Sequence, residues 1–125
     1  MAKEHYLEIT TLIADQYFER LHAAGVRGVR CNIVDLKTGK GQLPLDSLRS
    51  LADKVKPYGW HVEFLMHVNE FPDLDQQLAN FPVPVVFGHL GYAPTSTGTS
   101  DAGFKALIRL MKDGAAWAKM TGPYR

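Results

Sequence analysis

The side chains of this 125-residue chain that could do chemistry recur on short apolar segments. Arg30 and Asn32 alternate with Val29, Cys31 and Ile33. His61, Glu63 and His67 alternate with Val62, Phe64 and Met66. His89 follows Val85 and Phe87, and Lys119 and Thr121 follow Trp117 at steps of two. Arg30 is the most demanding of these: a guanidinium inside a strand cannot be neutralised and needs an anionic or carbonyl partner. Familiar catalytic signatures are absent. The chain has no H-x-H, H-E-x-x-H, C-x-x-C, P-loop, G-x-G-x-x-G or G-x-S-x-G. Cys31 falls on the apolar side of its segment and reads as a small core residue rather than a nucleophile. These residues describe a pocket, not yet a reaction.

The elements that must hold them follow from hydrophobic period. TTLIADQYFERLHAAG has helical spacing, with Ile13, Tyr17 and Leu21 as its stripe and Gly25 at its end. VRGVRCNIV switches to period two and is rich in β-branched residues. LDSLRSLADKVKPYG is helical through Leu45, Leu48, Leu51, Ala52 and Val55, and WHVEFLMH is a strand. PDLDQQLANFP is a short helix and PVVFGHLG a third strand. A Gly/Ser/Thr-rich loop leads to a helix with Phe104, Leu107, Ile108 and Met111 expected on its buried face, capped by Ser100 or Asp101. AAWAKMTGPYR is the fourth strand. The order α-β-α-β-α-β-α-β implies right-handed crossovers and a mostly parallel sheet.

Composition limits what the pocket can serve. Fourteen Lys/Arg against thirteen Asp/Glu give a net charge of +1, which leaves no basic footprint for nucleic acid or for an anionic membrane. A single cysteine excludes an internal disulfide, no apolar run is long enough to span a bilayer, and MAKEHYLEIT lacks a secretory h-region. The expected location is cytoplasmic. At 13.9 kDa the chain can form a real core, but a full (β/α)₈ barrel needs about 250 residues.

Parallel strands buried on both faces should be nearly continuous in apolar sequence, and these are not. Each has one apolar face and one that turns polar, often near its C-terminal end. A doubly wound sheet would have to bury those polar groups. In a barrel they converge on the solvated C-terminal mouth. Several of them also have plain structural readings. His61 is expected to be a satisfied structural histidine, and Glu63 with Lys119 an ion pair across the barrel floor. His67 reads equally as a loop histidine, His5 and His22 as surface residues, Trp60 and Trp117 as packing residues. Asp73 and Asp75 suit the positive end of a helix.

Four blocks, LHAAGVRGVRCNIVD, ADKVKPYGWHVEF, FPVPVVFGHLG and WAKMTGPYR, resemble consecutive units of the amidohydrolase-related TIM-barrel hydrolases. They are most similar to the branch that contains 2-pyrone-4,6-dicarboxylate lactonase and sugar-lactone hydrolases. The resemblance covers about residues 19–125 and implies one partial domain over 1–125, about half a barrel, with residues 1–10 unlike the family's approach. It implies addition of water to a lactone, ester or amide carbonyl of a small carboxylated substrate. GHLG matches the family's D-H-M-G-like strand end, so His89 is the implied catalytic residue, polarising the carbonyl or ligating a metal. V-R-C-N matches a V-R-F-N block, which makes Arg30, with Asn32 nearby, an implied carboxylate site. GPYR makes Arg125 a second clamp, and Lys119 and Thr121 match positions lining the same cavity. The cofactor is left as none or one divalent metal.

The departures are as specific as the matches. The family's H-x-H strand and its essential aspartate after the last strand have no counterpart here, so no general base is evident. The reading that follows is a hydrolase fragment, poorly active alone, with open sheet edges that invite self-association or a complementing chain. A non-enzymatic binding module for an anionic metabolite is the alternative. A flavodoxin-like regulatory domain ranks below both, since only Asp35 stands where such a domain collects acids.

Overall fold

A computed structural model describes residues 15–34 and 41–122. Four helix–strand pairs follow one another. Helix α1 (Asp15–Ala23) precedes strand β1 (Gly28–Asn32), and α2 (Leu45–Val55) precedes β2 (His61–Leu65). The short α3 (Leu74–Gln77) precedes β3 (Val85–Phe87), and α4 (Ala102–Lys112) precedes β4 (Ala116–Ala118). The strands pair in chain order and all run parallel. In register, Arg30 lies beside Glu63, Glu63 beside Val86, and Val86 beside Trp117. Residues 1–10, Ile13, His5, Asp35 and Arg125 lie outside the described residues.

The two faces of this sheet have different fates. Cys31, Val62, Phe64, Val85 and Phe87 are buried against Leu48, Leu51, Ala52 and Val55 of α2 and Ala106, Leu107 and Leu110 of α4. Each such side chain contributes about 1.5–3 kcal/mol on leaving water. The other face carries Arg30, Glu63, Val86, Trp117 and Lys119, and Trp117 is 64% exposed. Among the described residues helices thus cover one face only, unlike the flavodoxin-like alternative, whose helices cover both. Trp117 does not pack as expected, because alternation along β4 directs it away from the helices.

Contacts at the helix ends shift two of the expected stripes. On α4 the buried set is Gly103, Ala106, Leu107 and Leu110, while Met111 is exposed. Gly103 sets this rotation. A Cβ there would lie 1.8 Å from the Val68 carbonyl oxygen, so only glycine lets the first turn rest on that backbone. Positions 106, 107 and 110 then follow at helical spacing. The Phe104 N–H donates to Asp101 Oδ2 at 2.9 Å, a cap worth about 1 kcal/mol.

On α1 it is Phe18 that is buried, whereas Tyr17 is exposed. Phe18 packs edge-on to Trp60, and the Trp60 Nε1–H donates to His22 Nδ1 at 2.9 Å. His22 is accordingly a half-buried lid on this cluster, not a free surface residue.

Between α3 and α4, Arg109 grips Asp75 with two parallel hydrogen bonds, Nε to Oδ2 at 2.7 Å and Nη2 to Oδ1 at 3.2 Å. Those bonds hold the Asp75 carboxyl below its ordinary range. Among the described residues no helix is long and apolar enough to cross a membrane.

Candidate active site

Strand β2 supplies the centre of the polar face. Glu63 is paired on both sides: Arg30 Nη2 lies 3.2 Å from Oε1, and Lys119 Nζ donates to Oε2 at 2.7 Å. The Glu63 side chain is only 8% exposed, while Arg30 is 49% and Lys119 45% exposed. Arg30 reaches Glu63 as its direct neighbour in register. Lys119 must reach across β3. It can do so because the residue of β3's extension that lies between them is Gly88. A Cβ at Gly88 would come 2.6 Å from Leu65 Cδ2 and 3.0 Å from Glu63 Oε1. The Lys119 N–H donates to the Phe87 carbonyl at 2.9 Å, which keeps the two chains paired up to this point.

Immediately beyond Gly88 the backbone turns left-handed. His89 (φ 48°, ψ 50°), Leu90 (φ 56°, ψ 26°) and Gly91 (φ 68°, ψ 17°) are followed by Tyr92 at φ 52°. For each non-glycine residue this conformation costs roughly 1–2 kcal/mol, and strain of this kind clusters at functional sites. Its effect is to redirect His89. Strand alternation would send that side chain to the helix-covered face with Phe87. Instead its Nδ1 shares a hydrogen bond with Thr121 Oγ1 at 3.2 Å. The Leu90 N–H donates to the Lys119 carbonyl at 3.0 Å and anchors the turn to the end of β4.

Two further rings join here. Tyr92 stands edge-on to His89, with centroids 5.4 Å apart, and edge-on to His67 at 5.0 Å. A line His67–Tyr92–His89–Thr121 therefore crosses the C-terminal ends of β2, β3 and β4.

The candidate residues fall into two joined groups. Arg30 and Lys119 meet through Glu63, and His89 meets Thr121; the segment 119–121 belongs to both. Asn32 is buried at the end of β1, beside Leu65 in register. Arg125 lies outside the described residues. Sequence reasoning did not single out Tyr92, which sits in a loop with no periodic signal, and it gave Glu63 one cation where there are two. The alternation of β1 and β2 already placed Arg30 and Glu63 on one face, and only the strand register was missing.

Other groups stand apart from this chemistry. Burial pushes the Cys31 thiol up to about 12, so it holds no thiolate near neutral pH. Among the described residues no three His, Cys, Asp or Glu side chains come together as a metal-ligating set. Those residues alone do not fit a metal centre. A cavity of about 760 Å³ lies at the opposite, N-terminal end of β3 and β4, walled by Phe81, Pro82, Pro84, Leu110 and Trp117. It holds none of the candidate residues.

Comparison with known proteins gives this geometry its context. The family profile described as Amidohydrolase matches residues 9–125. A 2-pyrone-4,6-dicarboxylate hydrolase of Comamonas testosteroni is 32% identical over 114 residues, covering 90% of this chain and 37% of that protein. A crystal structure of a candidate 2-pyrone-4,6-dicarboxylic acid hydrolase from Pseudomonas putida superposes with a TM-score of 0.73 at 28% identity. It covers 90% of this chain and 41% of that one. A similarly described Acinetobacter baumannii protein, solved with citric acid bound, gives 0.66 at 24% identity over 91% and 42% of the two chains, and speaks for the fold alone. The chain thus spans about two-fifths of the length of these relatives, and its four parallel strands correspond to about half a TIM-type barrel.

Proposed function

We propose that this chain, which belongs to the amidohydrolase family, carries the carboxylate-binding and carbonyl-polarising part of a lactone hydrolase site. The substrate class is a small carboxylated lactone, of the kind named for its Comamonas relative. The observation that carries the reading is the pairing of His89 with Thr121, two residues beyond the Lys119 that Glu63 ties to Arg30.

In this reading the Thr121 hydroxyl donates to His89 Nδ1, so the ring proton sits on Nε2. That N–H donates to the lactone carbonyl oxygen and stabilises the negative charge that develops there as water adds. A donor placed for such an oxyanion is worth about 2.7–4 kcal/mol. Arg30 and Lys119 hold a substrate carboxylate on the floor, Asn32 lines the same side, and Arg125 supplies a second clamp. Arginine suits this work because its fork matches a carboxylate with two parallel bonds.

Activation of water needs a base, and no residue above fills that role. The chain alone is therefore expected to bind substrate and turn it over poorly. A second copy or a complementing polypeptide meets the open edges of β1 and β4. Calorimetry with 2-pyrone-4,6-dicarboxylate tests the binding, and ultraviolet loss of the pyrone ring tests turnover. Binding that weakens about tenfold or more in Arg30→Met, with slow ring opening that His89→Ala reduces further, is the expected outcome. An unaltered affinity in Arg30→Met would refute the carboxylate floor. Ring opening at an ordinary enzymatic rate, abolished by His89→Ala, would refute the expectation of poor activity.

A further inference from the structure

Glu63 lies beneath two half-exposed cations, one on each of its carboxylate oxygens. We propose that Glu63 is a positioning residue: it fixes the Arg30 and Lys119 heads as a spaced pair that grips one rigid carboxylated ligand. This rests on the reading of the face as a carboxylate floor. Each Glu63 oxygen takes one cation, Oε1 facing Arg30 and Oε2 facing Lys119. An arginine has five donors and a lysine three, so the contact with Glu63 leaves donors on both heads for a ligand.

Long cationic side chains lose much rotamer freedom when they clamp a ligand. A buried anchor that has already ordered them lowers that cost. Gly88 is part of the device, since a side chain there would press on Leu65 and on Glu63 itself. The residue that opens the way for Lys119 also precedes the turn that delivers His89. Floor and carbonyl donor are therefore set from one point in the chain.

Positioning and simple charge make opposite predictions. Removing the carboxylate in Glu63→Gln makes the face more positive, so charge alone would tighten anion binding. If Glu63 positions the pair, affinity for 2-pyrone-4,6-dicarboxylate falls about tenfold while weak binding of acetate is retained or rises. Glu63→Asp keeps the buried charge and shortens its arm, so it too should lose dicarboxylate affinity if the fold is intact by circular dichroism. A rise in dicarboxylate affinity in Glu63→Gln, or unchanged affinity in folded Glu63→Asp, would overturn the proposal. If the unaltered chain binds no dicarboxylate, the floor reading fails first, and this inference with it. If the unaltered chain binds and Arg30→Met does not weaken binding, the floor reading is refuted and this inference falls with it; if Arg30→Met weakens binding and Glu63→Gln does not, the floor reading stands and this inference alone is overturned.

Discussion

At the scale of single residues, the polar face separates groups that can act from groups that cannot. Cys31 shares β1 with Arg30 but points into the helix-covered core, where desolvation disfavours its thiolate. We expect it to resist a thiol reagent such as dithionitrobenzoate at neutral pH in the folded chain. It should react at once in concentrated urea, and rapid labelling of the native chain would show that this face of the sheet opens. The alternation of β1 made the opposed placement of Cys31 and Arg30 legible in the sequence. His89 was legible as a functional candidate but not as to where it points. Counting by two from Phe87 puts it among the helices, and only the left-handed turn carries it to Thr121. No local pattern announces four such residues when three of them are not glycine.

At the scale of elements, hydrophobic period identified all four helix–strand pairs, because each helix buries a stripe and each strand a face. It erred where tertiary contact rotates a helix. The close seat of Gly103 on Val68 turns α4 so that Met111 faces water, and periodicity cannot register a backbone contact across the fold. The Asp75–Arg109 bond between α3 and α4 was equally invisible, since its partners are 34 residues apart. Its pH dependence follows from the direction of the shift. Asp75 is held below its ordinary carboxylate range, so its stabilising effect is complete above the unfolded-state value, near about 4. The effect disappears as pH falls through the lower folded-state value. Asp75→Asn should therefore lower the urea midpoint at about pH 7 and make little difference at about pH 2. An equal deficit at both would mean that packing, not charge, is what the substitution removes.

At the scale of the whole molecule, the described residues form a parallel four-stranded sheet with helices on one side, which presents two strand edges and a face that those helices leave uncovered. Such edges favour pairing with another chain. Joined edge to edge about a two-fold axis along the barrel, two copies would place β4 of each beside β1 of the other and keep every strand parallel. We expect sedimentation of the purified chain to give a species larger than 13.9 kDa, and a concentration-independent single-chain mass would contradict this.

The uncovered face also brings its own optical probe. Of the two tryptophans, Trp60 is sealed in the core while Trp117 is exposed on the face opposite the helices. An indole in that position emits at long wavelength and is open to quenching by acrylamide or iodide. Whatever covers that face must shield it, so colour and quenching of the emitted light report the sheet's enclosure in real time.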